Sequence, residues 1–165
     1  MKIKRIVKHL LATDGQVRRA FAHSALREIE HVIKASEAEH TGEIRFVVEG
    51  GLDGPPLFKG QSARERAIEL FSQLRVWDTQ DNSGLLIYLL LADRAVEIVA
   101  DRGINAKVSP HEWTRICREM EIAFRQSEYV RGVVGGLKAV THHLVEHFPA
   151  DGRNPNELPD KAVVL

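Results

Sequence analysis

The sequence predicts an α/β protein, a three-layer α/β/α sandwich around a small mixed sheet of three to four strands. Three observations predict it. EIRFVVE, at 43–49, alternates apolar and charged residues with the period of a strand. GLLIYLLL, at 84–91, is apolar almost without interruption, as a strand covered on both faces is, and AVEIVA returns after the short turn Ala92-Asp93-Arg94. Apolar stripes at helical spacing fill the stretches before, between and after these runs.

In chain order, residues 1–12 set Ile3, Ile6, Val7, Leu10 and Leu11 at helical spacing, with Lys2, Lys4, Arg5, Lys8 and His9 between them. The pattern favours a short amphipathic helix docked on the domain or loosely held at its end. The alternative is a basic segment that touches an anionic membrane or a partner. Residues 17–40 read as helical, with Ala20, Phe21, Leu26, Ile29, Val32 and Ile33 inward and Gly42 as the stop. After the first strand, two glycines and Asp53-Gly54-Pro55-Pro56 indicate a loop to about Gly60. Ser62-Ala63-Arg64-Glu65 is a capping box that opens a helix to Arg75. The first strand, this helix and the apolar strand form a β-α-β unit, whose crossover is long enough for parallel pairing.

Ser109-Pro110-His111-Glu112 reads as a second capping box, opening a helix to about Gln126 with Cys117 on its inner face as a packing residue. A last helix spans about 129–148, and Gly132, Gly135 and Gly136 within it suggest close approach to the sheet. The segment after Pro149 is polar and rich in proline and asparagine and reads as an irregular tail. The expected organisation is an N-terminal segment at 1–23, one domain at 24–148 and a tail at 149–165.

Composition narrows the function classes. Lys+Arg and Asp+Glu balance at 23 each, so no global field draws in nucleic acid, and the basic patches lack interleaved aromatics. A single cysteine excludes an internal disulfide and any multi-cysteine metal site. No apolar run approaches the roughly 20 residues of a spanning helix. The N-terminus lacks the long apolar core and cleavage site of a signal peptide, so a cytoplasmic protein is expected. There is no Gly-rich phosphate loop, no G-x-S-x-G, no H-E-x-x-H and no Cys-x-x-Cys. His143 and His147 have zinc-like spacing, but the apolar stripe of their helix points them to solvent without an evident third ligand.

Chemistry concentrates in two loops, 77–84 and 101–105. Ligands of open α/β sheets tend to bind outside the carboxyl ends of parallel strands. The two loops flank an antiparallel hairpin, so its topology brings Asp78, Asp81 and Asn82 near Asp101 and Asn105. Three carboxylates and two amides suit a hard cation such as Ca²⁺, Mg²⁺ or Mn²⁺. Asp and Asn also make turns and cap strand ends, and spacing alone favours that plainer role.

The order helix–TGEIRFVVEGGL–helix–DNSGLLIYLLLADRAVEIVADRGI–helix–helix resembles the TPM domain family over about 24–148. The matching motifs are Thr41-Gly42, Asp81-Asn82-Ser83-Gly84 and Asp101-Arg102-Gly103-Ile104. The resemblance implies a divalent-cation site between the two loops, falling on Asp81, Asn82 and Asp101. It also implies a phosphatase activity attributed to a plant member, and otherwise roles in assembling or regulating membrane complexes. Ser83 is extra relative to the family pattern, Asp101-Arg102-Gly103 stands for a Gly-Tyr-Gly, and Asn105 occupies the place of a glutamate.

Two functions are therefore expected. The first is a non-enzymatic binding or regulatory module that uses the loop edge to engage a protein partner. The second is a metal-dependent phosphatase acting on phosphomonoesters. In it Asp81 and Asp101 hold the cation, Asp78 orients water and Arg102 stabilises the phosphoryl group, while Trp77 flanks the site as a reporter.

Overall fold

The computed structural model describes residues 2–12, 14–153 and 155–165. The elements run α1 (Lys2–Leu11), α2 (Asp14–Ala20), α3 (His23–Glu37), β1 (Glu43–Glu49), α4 (Gly54–Lys59) and α5 (Ala63–Gln73). They continue as β2 (Gly84–Leu90), β3 (Ala95–Ala100), α6 (Arg102–Asn105), α7 (Pro110–Arg125), α8 (Tyr129–His147) and β4 (Val163–Val164). The sheet order is β3-β2-β1-β4. β1 and β2 pair in parallel from Glu43–Gly84 to Glu49–Leu90, and β2 pairs antiparallel with β3 from Leu85–Ala100 to Leu90–Ala95. The mixed sheet with helices on both faces is the α/β/α sandwich that the apolar and alternating runs predict.

The two faces of each strand feed two cores. Ile44, Phe46, Leu85, Ile87 and Leu89 meet α3, α7 and α8 on one side. Val47, Leu86, Tyr88 and Leu90 meet α4 and α5 on the other. All seven residues of β2 are buried, which is why that run shows no alternation. Among the described residues, no helix is long and apolar enough to cross a membrane.

The structure departs from the sequence reading in five places. The first helical stretch breaks at Phe21 and Ala22 into α2 and α3. The loop after β1 contains the short helix α4, with proline in its first turn. Ser62 and Glu65 complete their capping box, but Ser109 makes no side-chain cap, and Glu112 turns instead to Arg115 at 3.0 Å. Gly132 and Gly136 mark close approach between helices: a Cβ there would lie 2.7 Å from Phe124 and 2.3 Å from Met120, both on α7. A Cβ at Gly135 would meet no atom of the described residues within 4 Å beyond its own stretch of helix, so Gly135→Ala is expected to stabilise the protein by about 0.5–1 kcal/mol, read by urea unfolding.

The fifth departure is the tail, which is the fourth strand. Val163 and Val164 pair with Val47 and Val48, and Leu165 N–H donates to the Val48 carbonyl at 2.9 Å. Buried and half-buried side chains of distant elements pin the rest. The Glu43 carboxylate accepts from the backbone N–H of Glu157 at 3.0 Å and Leu158 at 3.3 Å. Glu30 accepts from Ala162 N–H at 3.0 Å, and Arg45 donates to the Pro159 carbonyl. The tail is thus why Glu43 and Arg45 are buried, where alternation predicts a half-exposed face.

This covered edge titrates. Burial pushes the Glu37 carboxyl up to about 9 and the Glu43 carboxyl up to about 7, and burial lowers His40 to about 4. A carboxyl raised by folding stabilises fully below its unfolded pKa, and that stability is lost as pH rises through the folded value. A histidine lowered by folding stabilises above its unfolded pKa and loses that contribution as pH falls through the folded value. The expected profile has its maximum near pH 4.5, because from there towards pH 9 the losses from Glu43 and Glu37 outweigh the gain from His40, which ends near pH 6.5. Urea unfolding across this range checks it, and Glu43→Gln is expected to make the decline between about pH 4.5 and 7 shallower.

Candidate functional site

The loops before β2 and after β3 meet at one edge of the sheet. Pairing forces this: Asp101 N–H donates to the Gly84 carbonyl at 2.9 Å, one step beyond the Leu85–Ala100 pair. Gly103 N–H then donates to the Asn82 carbonyl at 2.8 Å. Gly103 fits because it has no side chain. A Cβ there would lie 2.4 Å from the Asp81 carbonyl oxygen and 2.6 Å from that of Asn82. Asn82 has φ of 50°, a left-handed conformation that asparagine tolerates better than most residues.

Asp101 is the buried member of the edge. Its Oδ1 accepts from the Arg102 N–H at 2.7 Å and caps α6, while among the described residues its buried Oδ2 has no hydrogen-bond partner. Ser83, which directly precedes β2, is fully buried, and its Oγ also lacks a partner among the described residues. Ser83 N–H donates to Thr79 Oγ1 at 3.0 Å, which fixes the loop's entry into β2. Sequence reasoning misses the part played by both hydroxyl residues. Their only signal is their place shortly before an apolar strand, which does not report burial.

Asp81 and Arg102 are exposed at the edge, and Asn82 is half-buried. Asp78 is bound elsewhere: its carboxylate takes the Arg75 guanidinium at 2.6 Å, and the same guanidinium stacks 5.7 Å from the half-exposed Trp77 ring. Asn105 lines a separate cleft between β3 and α7, with Arg64, Trp113 and Cys117. The structure therefore brings together the segments of Asp81, Asn82, Asp101 and Arg102 and leaves Asp78 and Asn105 in other local networks. Burial pushes the Cys117 thiol up to about 12, which fits a packing residue and not a nucleophile.

The edge lies at the amino ends of the parallel strands β1 and β2, since Gly84 and Glu43 begin them. That is opposite to the end that open α/β sheets commonly use. Glu157 of the tail also reaches it, accepting from Gln80 N–H at 3.0 Å.

A second cluster lies on α8. Among the described residues, His143, Glu146 and His147 form the one group of three or more His, Cys, Asp or Glu whose donor atoms all lie within 4.8 Å of one another. The apolar stripe predicts both histidines towards solvent with no third ligand. Instead the end of α8 packs on the start of α7, so Trp113 meets the His143 ring edge-on at 5.6 Å and Glu112 lies 3.6 Å from its Nε2. No ion is needed to explain these contacts, since Glu112 and Glu146 already sit beside the rings.

The model of the TPM domain family matches residues 18–143. Among solved structures, the chain is similar to the BA42 protein of the psychrophilic bacterium Bizionia argentinensis, with a TM-score of 0.77 and 26% identity over 88% of this chain and 95% of that one. It is similar in fold to the N-terminal domain of a protein from P. gingivalis, with a TM-score of 0.62 and 23% identity over 79% of this chain and 82% of that one. No curated protein matches.

Proposed function

This chain belongs to the TPM domain family, and from that premise we propose that it is a non-enzymatic binding and regulatory module whose working edge is the loop pair at 77–84 and 101–105. Asp101, with Asp81 and Asn82, is the set that would hold a divalent cation, Ca²⁺ or Mg²⁺/Mn²⁺. The observation that carries this reading is the Asp101 carboxyl, buried with one oxygen in a helix cap and the other without a partner among the described residues. A buried carboxyl oxygen without a donor is costly, and an oxygen-loving cation is the partner that its chemistry suits.

When bound, the cation supplies positive charge that ties the two loops together and presents a cationic edge. The protein's part is to set the spacing. Gly103 lets the loops touch, Thr79 fixes the turn into β2, and Asp101 joins the end of β3 to α6. The partner read at this edge would be a protein surface.

The exposed Arg102 beside Asp101 favours one second reading, a phosphatase in which Arg102 grips the phosphoryl group. Against it, Asp78, the residue expected to orient water, is held by Arg75 at 2.6 Å. A phosphomonoester assay separates the two. The module reading expects no metal-dependent turnover in the wild type above that of Asp81→Asn. Turnover that Asp81→Asn abolishes would establish the enzyme in its place.

A further inference from the structure

The residues that dock α1 are its polar ones. Arg5 donates to Asp93 at 2.8 Å and to the Gln61 carbonyl at 2.7 Å. His9, with 3% exposure, accepts the Leu52 N–H at Nδ1 at 2.8 Å, which leaves Nε2 to donate to Asp93 Oδ1 at 2.9 Å. Burial alone would raise the Asp93 carboxyl, but Arg5 and His9 hold it below the ordinary carboxylate value. Gly51 lets the helix come close, since a Cβ there would lie 2.9 Å from the His9 carbonyl oxygen.

The aliphatic face points the other way. Ile6 packs partly against the core, but Ile3, Val7, Leu10 and Leu11 are 76%, 48%, 61% and 65% exposed. They fall at i, i+4, i+7 and i+8, a single stripe. A helix docked for its aliphatic face would bury this stripe and expose Arg5 and His9. Lys2, Lys4 and Lys8 are exposed around the stripe, and α1 contains no acidic residue.

The stripe adjoins a cleft of about 770 Å³ that shares Lys8 and Leu11 with it and adds Arg19, Arg94, Ser127 and Tyr129. Among the described residues, no carboxylate lines this cleft. Leu91 and Ala92, just past the carboxyl end of β2, form part of its wall, so it lies at the end of the sheet where open α/β folds commonly bind ligands. The chain as a whole carries no net charge, so this is a local concentration of cations.

We propose that α1 and this cleft form a docking surface for an anionic membrane. Ile3, Val7, Leu10 and Leu11 enter the acyl boundary with α1 lying in the interface plane, and Lys2, Lys4, Lys8, Arg19 and Arg94 meet the lipid phosphates. Charge decides between this occupant and a second copy of the chain. Pairing the same face of two copies would bring lysines together with no acidic residue on α1 to meet them, whereas a surface of anionic lipid answers both the aliphatic stripe and its cationic rim.

Sedimentation of the full chain with vesicles tests the proposal. Wild type is expected to pellet with phosphatidylcholine vesicles that contain about one-third phosphatidylglycerol, at least roughly tenfold better than with phosphatidylcholine alone, and to lose that advantage as salt rises. Leu10→Ser with Leu11→Ser, at exposed positions that leave the melting temperature unchanged, is expected to abolish pelleting. Lys4→Glu with Lys8→Glu is expected to weaken it at least roughly tenfold. Failure of the wild type to pellet with anionic vesicles, including the case in which it binds an acidic polypeptide instead, overturns the proposal. So does pelleting of the Leu10→Ser, Leu11→Ser protein like the wild type, or equal binding to neutral vesicles.

Discussion

Arg66→Ala is expected to cost about 3–5 kcal/mol of folding stability. Arg66 reaches Glu49 with two parallel bonds, Nε and Nη2 each donating at 3.0 Å, and Tyr88 donates its hydroxyl to the same carboxylate at 2.6 Å. The Glu49 side chain is 9% exposed. Removing the guanidinium leaves a carboxylate in the low-dielectric core beneath α5, and the tyrosine cannot neutralise it. Burial pushes the Tyr88 hydroxyl well above its ordinary pKa, so it serves as a donor only. Urea unfolding with an unchanged m-value checks the cost. Glu49→Gln in the Arg66→Ala background is expected to recover part of it, because the uncompensated charge is then gone. A loss within experimental error for Arg66→Ala would mean that the pair contributes nothing net.

Gly103→Ala has the second large effect, about 2–3 kcal/mol. The new methyl group would meet the Asp81 and Asn82 carbonyl oxygens at 2.4 and 2.6 Å, and both are backbone atoms with no rotamer to move through. Relief requires the two loops to part, which breaks the 2.8 Å bond from Gly103 N–H to the Asn82 carbonyl. On the proposed function, the variant also loses its response to divalent cations, even at temperatures where it remains folded. Near-ultraviolet circular dichroism of Trp77 and thermal melts with and without Ca²⁺ report the two losses separately. Retention of the cation response by a folded Gly103→Ala protein would place the site elsewhere.

Much of the fold is legible in the sequence because burial writes itself into periodicity. β1, β2 and β3 follow from their alternating and apolar runs, and the longer helices α1, α3, α5, α7 and α8 from their stripes, whereas the short α4 and α6 read as loops. The β4 tail is not legible, because a two-residue strand has no period and its anchors, Glu30, Glu43 and Arg45, lie more than 100 residues away. The two capping-box patterns read alike, yet only Ser62 makes the bond. At Ser109 the glutamate is drawn off by Arg115, a choice made by neighbours and not by the four-residue pattern. The same competition limits what the sequence says of the site. The meeting of the loops follows from hairpin topology, whereas the attachment of Asp78 to Arg75 and the placement of Asn105 beside α7 depend on which local partner wins. For α1, the amphipathic spacing is plain in the sequence, but spacing by itself predicts the aliphatic face inward. The Arg5–Asp93–His9 cluster reverses it.

The most direct test of the loop-edge account compares thermal melts of the wild type and Asp101→Asn in Ca²⁺ and Mg²⁺, with His143→Ala as the control for the α8 cluster. Asparagine keeps the helix cap. Without cation, Asp101→Asn is expected to melt at or above the wild-type temperature, because a buried carboxyl oxygen lacking a donor has been replaced. Cation at ten times its Kd is expected to stabilise the wild type and His143→Ala by about 1.4 kcal/mol, a rise of about 3–6 °C for a chain of this size. Asp101→Asn is expected not to respond. A wild type that neither cation shifts, or an Asp101→Asn protein that shifts equally, would contradict the assignment of the cation to this edge.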